Sequence, residues 1–292
     1  MEQQIRCLLA WLPEAEAVTT LLGHFASPGE DTNQQRQLWE VAHAALQHRE
    51  PYPQATLTLD PFPPELAAQA EAFKQNPSVI ASLQGMDWTV GLANLNSLLS
   101  FQKVVVQEHA IERANAVSIE DQASLFSYCL PVPVSGINLA GALDGDQKAI
   151  TFSSLNPNLR IGGHLIVDID VAPAPGQPAT KQKFVGFGIT FGAQYVQIAE
   201  YNQRWFIRDG YHRCYGLLRR GVEHIPCVFI RATSFEQLTG GQGGFFSYET
   251  LFGARPPFLK DFLNDAVSVT TMRMAIRKVV RISAEDFVVA IE

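Results

Sequence analysis

The segment 204–230 constrains the fold of this chain more than any other, because it combines two strands, a tight turn and a helix in one short run. Residues 205–208 begin with Trp205, Phe206 and Ile207, and such aromatic and β-branched side chains are typical of a buried strand. Asp209-Gly210 is a turn signal, and 211–220 is long enough for about three helical turns. A glycine follows where a helix commonly ends, and the apolar run 225–230 predicts the second strand.

The turn before the predicted helix is a candidate anion site. Gly210 lets the backbone approach a ligand closely, and the first free N–H groups of a helix attract negative charge. His212 and Arg213 fall in the first helical turn, where a guanidinium can hold phosphate oxygens in a bidentate manner. The same spacing also fits a structural turn in which Asp209 caps the helix and Arg213 lies on the surface.

The turn and its surroundings contain a recognisable motif. It reads Asp209-Gly210-Tyr211-His212-Arg213, followed by a helix, a glycine and Ile225-Pro226-Cys227-Val228. This order resembles the signature of the ParB/sulfiredoxin-like superfamily, whose members carry a Gly-x-x-Arg box at a helix start and an Ile/Val-Pro strand after it. The resemblance implies that Gly210, Tyr211, His212 and Arg213 bind the phosphates of ATP or a related nucleotide.

The box departs from two branches of that superfamily and agrees with a third. Tyr211 occupies the position of the sulfiredoxin nucleophile, and Cys214 lies too far along to replace it, so sulfinic acid reduction is not expected. His212 replaces the second arginine of the ParB box, which argues against a CTP-driven switch. Asp209 matches the free serine kinases of the group. The close match is confined to this one segment.

The composition indicates a well-buried globular protein with an acidic surface. Of the 292 residues, 47% are hydrophobic and 17% are charged, and the net charge is −7. Proteins that bind nucleic acid usually show a basic field, so a nucleic-acid partner is not expected. A DNA-binding protein of the partition type is therefore the third choice.

The chain lacks the sequence signals of membrane and secreted proteins. Its apolar runs are shorter than the roughly 18 residues of a membrane-spanning helix, and the early Glu2 with no basic region before it does not fit a signal peptide. The cysteines are far apart and form no Cys-x-x-Cys pair, which favours neither disulfides nor a zinc ribbon. We expect a cytoplasmic protein without a membrane partner.

The sequence pattern changes along the chain and predicts an α+β fold. Residues 1–50 form a helical N-terminal region, and 51–149 form a mainly helical middle region that begins in a proline-rich connector. Within it we predict a helical segment over 76–100 that is broken near 85–88, and a helix over 118–128 that is capped at Ser118. Residues 150–292 form a mixed α/β domain with a C-terminal extension, and the resemblance makes this the ParB/sulfiredoxin-like domain.

Strand alternation dominates from about residue 150. Residues 165–171 and 183–191 alternate apolar and polar side chains, and a loop between them could serve as a lid. Asp168 and Asp170 are two apart on a strand, so they share a face and could hold Mg²⁺ or act as a base. An ordinary solvent-facing pair fits the same spacing.

The segment 267–282 fits both a helix and a strand. In a helix, Arg273, Arg277 and Arg281 would form a basic stripe that could bind a nucleotide or an acidic partner. The pattern does not distinguish the two.

Two functions from different classes agree with these features. In the first, the protein binds a nucleotide and carries out phosphoryl transfer or NTP hydrolysis, as an NTPase or a small-molecule kinase does. Arg213 then holds phosphate, Asp209 and His212 are the catalytic residues, and Asp168 and Asp170 are the metal ligands.

In the second, the protein is a non-catalytic interaction or regulatory module that retains the fold. The box is then structural, and the helical N-terminal half contacts a protein partner.

Overall fold

The computed structural model describes residues 2–23, 32–53, 57–132, 139–154, 159–171, 180–191, 195–240 and 244–289. Helices and strands alternate along these ranges without a regular βαβ repeat, which confirms the α+β class. The chain divides into two compact units. Unit 1 comprises Met1–Pro133 and Gln194–Ala275, and unit 2 comprises Val134–Ala193 and Ile276–Glu292.

The strands have the following bounds in chain order. They are β1 (Glu2–Cys7), β2 (Asp87–Asn94), β3 (Leu99–Ser100), β4 (Val104–Val106), β5 (Gly141–Leu143), β6 (Ala149–Ser154), β7 (Leu159–Val171), β8 (Thr180–Phe191), β9 (Gln197–Tyr201), β10 (Arg204–Asp209), β11 (His224–Arg231), β12 (Val269–Met274) and β13 (Lys278–Ser283).

The α-helices have the following bounds in chain order. They are α1 (Glu14–Leu22), α2 (Asn33–Gln47), α3 (Ala67–Gln75), α4 (Pro77–Ser82), α5 (Gln107–Asn115), α6 (Gln122–Cys129), α7 (Tyr211–Arg219), α8 (Phe235–Thr239) and α9 (Tyr248–Phe252). No helix in these ranges is long and apolar enough to cross a bilayer.

The main sheet of unit 1 has the strand order β2-β11-β9-β10-β3. Its strand β11 is buried from Ile225 to Ile230, antiparallel to β2 and parallel to β9. Strands β9 and β10 form an antiparallel hairpin connected by Asn202 and Gln203, whose φ angles of 50° and 61° suit a tight hairpin turn. Helix α7 follows β10 directly and packs against α5.

A second sheet of unit 1 joins distant parts of the chain. Strand β1 lies between β12 and β4 and is antiparallel to both. Residues 2–7 and residues 269–274 therefore belong to one hydrogen-bonded sheet.

Unit 2 contains two small antiparallel sheets. One has the order β13-β6-β5, and the other consists of the long hairpin β7-β8. Both strands of that hairpin were predicted from their alternation, and both are observed. The lid predicted between them lies outside the described residues.

The predicted helical segment over 76–100 is wrong for most of its length. Pro77–Ser82 is α-helical and Leu95–Ser97 is a short 3-10 helix, whereas Asp87–Asn94 is strand β2, which pairs with β11 through all eight of its residues. The β-favouring run Trp88-Thr89-Val90 and the ladder of hydrogen bonds outweigh the leucines on which the helix prediction depended.

Two further predictions are corrected by local structure. Helix α6 begins at Gln122 and not at Ser118, because the Asp121 side chain accepts a hydrogen bond from the Ala123 amide at 3.1 Å and caps the helix. The undecided segment 267–282 forms the two strands β12 and β13, so the predicted arginine stripe does not exist. Arg273 lies in unit 1, and Arg281 lies in unit 2, where it forms an ion pair with Asp144.

The four cysteines are free and buried. Burial raises the pKa of the Cys7 and Cys129 thiols to about 12, and it raises the pKa of the Cys214 and Cys227 thiols as well. Since the thiolate is the reactive form, these groups should be inert in the folded protein.

We therefore expect no reaction of the native protein with the thiol reagent DTNB at pH 8, and reaction of all four cysteines after denaturation in guanidinium. The absorbance of the released thiolate measures both. Reaction of a native cysteine as fast as that of free cysteine would contradict the buried placement.

Candidate functional site

The turn between β10 and α7 is the predicted site, and Gly210 stands at its centre. Gly210 precedes the first helical residue with φ at 90°, a left-handed conformation that strongly favours glycine. A Cβ atom at this position would lie 3.0 Å from Cγ2 of Val196. The chain's own packing thus requires the glycine, without reference to a ligand. The Asp209 carboxylate accepts a hydrogen bond from the Gly210 amide at 2.6 Å.

Tyr211 points into the core. Its hydroxyl oxygen accepts a hydrogen bond from the Phe101 amide at 3.1 Å, and the side chain is buried. Burial raises the pKa of this phenol well above its ordinary value. Tyr211 is therefore a neutral anchor between α7 and the segment after β3.

His212 acts as a hydrogen-bond acceptor. Its Nε2 accepts from the amide of Val106, the residue that precedes α5, at 3.1 Å. Its ring packs edge-on against the ring of His109, with 5.6 Å between the centroids. Burial and the nearby charges of His109, Arg113, Arg273 and Arg213 lower the pKa of His212 to about 4.

The imidazole of His212 is consequently neutral at pH 7, and its Nε2 lone pair is already used. With this hydrogen bond in place, Nε2 carries no proton to donate as a general acid. The basic surroundings also explain why a positive charge on this ring is disfavoured.

Arg213 is buried, with 9% of its surface exposed. Its Nη1 donates to the carbonyl oxygens of Tyr128 at 3.0 Å and Cys129 at 3.4 Å. These are the last two residues of α6, where unpaired carbonyl groups and the negative end of the helix dipole favour a cation. The guanidinium expected to hold phosphate thus caps a neighbouring helix.

The predicted metal ligands lie in the other unit. Asp168 and Asp170 are on β7, and their backbones pair in register with Lys183 and Lys181 of β8. The exposed Asp168 carboxylate forms an ion pair with Lys183 at 2.9 Å. Within the described ranges no group of three or more His, Cys, Asp or Glu residues is placed to hold a metal ion.

Residues 209–213 lie at one turn of unit 1, whereas Asp168 and Asp170 belong to unit 2. The partners of the box that sequence reasoning missed are Phe101, Val106, Tyr128 and Cys129. They contribute backbone atoms, which leave no side-chain signal in a sequence.

Two clefts in unit 1 lie apart from the box residues. One of about 410 Å³ is lined by the stacked rings of Tyr52 and Phe258, with Arg49 and Lys260 beside them. The other, of about 390 Å³, lies between the end of α5 and the start of α6. Neither cleft is lined by a residue of 209–213.

No protein-family profile, curated protein or solved structure matches this chain. The resemblance to the ParB/sulfiredoxin-like superfamily stays a prediction, and so does the ligand that it implies.

Gly210 and Gly221 provide a matched test of the packing at the turn. Both have positive φ, at 90° and 82°, but a Cβ at Gly221 meets no atom within 4 Å. Gly221→Ala should cost about 1–2 kcal/mol, the penalty of the left-handed conformation. Gly210→Ala should cost more, because Val196 must also move. Urea denaturation measures both, and equal losses would contradict the steric contact.

The lowered pKa of His212 makes stability depend on pH. Its ordinary value is 6.5 and its folded value is about 4, so the unfolded chain binds the proton first as the pH falls. The stabilisation is complete above pH 6.5 and is lost between about 6.5 and 4. His212→Gln keeps an acceptor for the Val106 amide but does not titrate.

We expect the free energy of unfolding of His212→Gln to change less than that of the wild type between pH 7 and pH 4.5. Urea titrations at a series of pH values check this. His48→Gln, at an exposed position, is the control. An identical pH dependence in wild type and His212→Gln would show that His212 is not held neutral.

Proposed function

We propose that this chain is a non-catalytic protein-interaction module. In it the turn 209–213 is a structural joint, and the hairpin β7-β8 of unit 2, called the arm below, is the binding surface. The observation that supports this most is the amount of apolar side-chain surface that the arm exposes.

The arm exposes apolar side chains on both of its faces. Residues opposite each other in an antiparallel pair share a face, so Ile166 and Val185 lie on one face and Val167 and Phe184 on the other. Further exposed apolar residues of the arm are Ile161, Leu165, Ile169 and Phe187. A two-stranded hairpin is only marginally stable alone in water, and apolar patches of this kind mark interaction sites.

Unit 2 has little core with which to cover this surface. Its buried apolar side chains in the described residues are Ala149, Leu159 and Val280. Large apolar side chains outside the arm are exposed as well, among them Leu143, Ile276, Val279 and Phe287. A partner that covers the arm would supply the apolar contacts that unit 2 lacks.

The contacts of the box favour a structural role over phosphate binding. Tyr211, His212 and Arg213 each form a hydrogen bond with a backbone group of another element. A phosphate that bound Nη1 of Arg213 would have to displace the carbonyl groups at the end of α6, and the Tyr128 carbonyl would lose this hydrogen bond, whereas the Cys129 carbonyl would keep the Val196 amide. The nucleotide-binding function stays a prediction, and the experiment below separates the two.

A protein partner on the helical N-terminal half is the second location for the interaction. On α2 the exposed apolar residues are Leu38 and Val41. They form a smaller apolar area than the arm, which is why we place the partner on the arm.

Thermal denaturation of wild type and Arg213→Gln, with and without ligands, tests the proposal. The ligands are ATP, ADP, CTP, GTP and phosphate, each with and without Mg²⁺. Without any ligand, Arg213→Gln should lose roughly 1.5–3 kcal/mol of stability, since it breaks buried charge-assisted hydrogen bonds. Arg219→Gln, at an exposed position in the last turn of α7, should lose much less and serves as the control.

No ligand of this set should stabilise the wild type. A nucleotide at about 100 times its dissociation constant would add about 2.7 kcal/mol. If one nucleotide gives such an increase and Arg213→Gln abolishes it while Arg219→Gln does not, the box is a phosphate site and the proposal fails.

A further inference from the structure

We infer that the partner of the arm is a second copy of this chain, docked with β8 of one copy edge to edge against β7 of the next. This inference rests on the proposed function, because it names the partner of the same surface. It follows from the open edges of the arm, its charges and the order of its apolar side chains.

The arm has two long edges. Strand β7 spans 13 residues and β8 spans 12, and in the described ranges the two strands form a sheet only with each other. Each strand therefore presents one edge to which no third described strand pairs. Such an edge is a template for pairing with another chain, and proteins that avoid this cover the edge or shorten it.

The charges of the two strands are complementary. Strand β7 contains Asp168 and Asp170, whereas β8 contains Lys181 and Lys183 and no carboxylate. Within one copy, Asp168 already pairs with Lys183. When β8 of one copy lies antiparallel to β7 of the next at the same register, Lys183 is again opposite Asp168, and Lys181 is again at the register position of Asp170. Pairing β8 with β8 would bring lysines together without a counter-charge.

The apolar side chains continue across the same junction. At this register Phe184 of one copy lies beside Val167 of the next, and Val185 lies beside Ile166, as they do within a single arm. These residues are between 36% and 57% exposed in one chain. Cross-strand pairs of aromatic and β-branched residues stabilise a sheet, so each added copy covers an apolar edge of the one before.

An interface between two different edges is heterologous. Each copy then offers one free edge after docking, and the assembly grows beyond a dimer until it closes or extends as a filament. A symmetric pair formed by β7 with β7 would stop at two copies.

Single-cysteine variants distinguish these arrangements. The native cysteines are buried, so a new thiol on the arm reacts selectively. We would prepare Val167→Cys and Phe184→Cys, oxidise each variant alone and in a mixture, and quantify disulfide-linked dimers on non-reducing gels. The control is Val41→Cys, at a residue of unit 1 that is 70% exposed.

We expect the mixture to give several-fold more cross-linked dimer than either variant alone, since only the mixture places one thiol on β7 and one on β8 at the junction. Val41→Cys mixed with either variant should give only the background level. Cross-linking of Val167→Cys alone, at the level of the mixture, would overturn the pairing of β8 with β7.

The mass of the unmodified chain gives a test that needs no variant. Light scattering during size-exclusion chromatography should show an average mass above that of a dimer, rising with protein concentration. A monomeric mass over the whole concentration series would overturn the inference. That result would leave the proposed function standing, because a protein other than a second copy could cover the arm, and the nucleotide screen tests the box separately.

Discussion

Hydrogen bonding by the buried Arg213 guanidinium is the interaction on which the arrangement of α6, α7 and the start of β9 in unit 1 depends. The guanidinium bonds the carbonyl groups of Tyr128 and Cys129, and the Cys129 carbonyl also accepts from the Val196 amide at 2.8 Å. One helix end, one strand start and the first turn of α7 therefore meet at a single point. A buried cation is tolerated there because the end of a helix supplies several partial negative charges.

The rest of the turn strengthens this joint. Gly210 leaves room for Val196, Tyr211 fixes the segment after β3, and His212 receives the amide that begins α5. The contacts of Tyr211 and His212 each give a backbone amide a hydrogen-bond partner. A sequence motif that could bind an external anion is here directed inward, and the neutral imidazole among several arginines is a consequence of that placement.

The two units use their apolar residues in opposite ways. Unit 1 buries large aromatic side chains such as Phe73, Phe101 and Phe206 in a continuous core. In the described residues of unit 2, few apolar side chains are buried, and the apolar residues of the arm are exposed. Since burial of apolar surface is the main stabilising contribution to folding, we expect the arm to gain stability when another surface covers it.

Local patterns in the sequence determined the α+β class, the alternating strands β7 and β8, and the strand, turn, helix and strand from Arg204 to Arg231, because residues close in sequence specify each of them. Tertiary structure decided what these elements do. Strand β2 replaced a predicted helix because β11 offered it a ladder, and Arg213 found its partners 84 and 85 residues away. Those partners are backbone carbonyls, which every residue type possesses, so only the folded chain could show where the Arg213 guanidinium bonds.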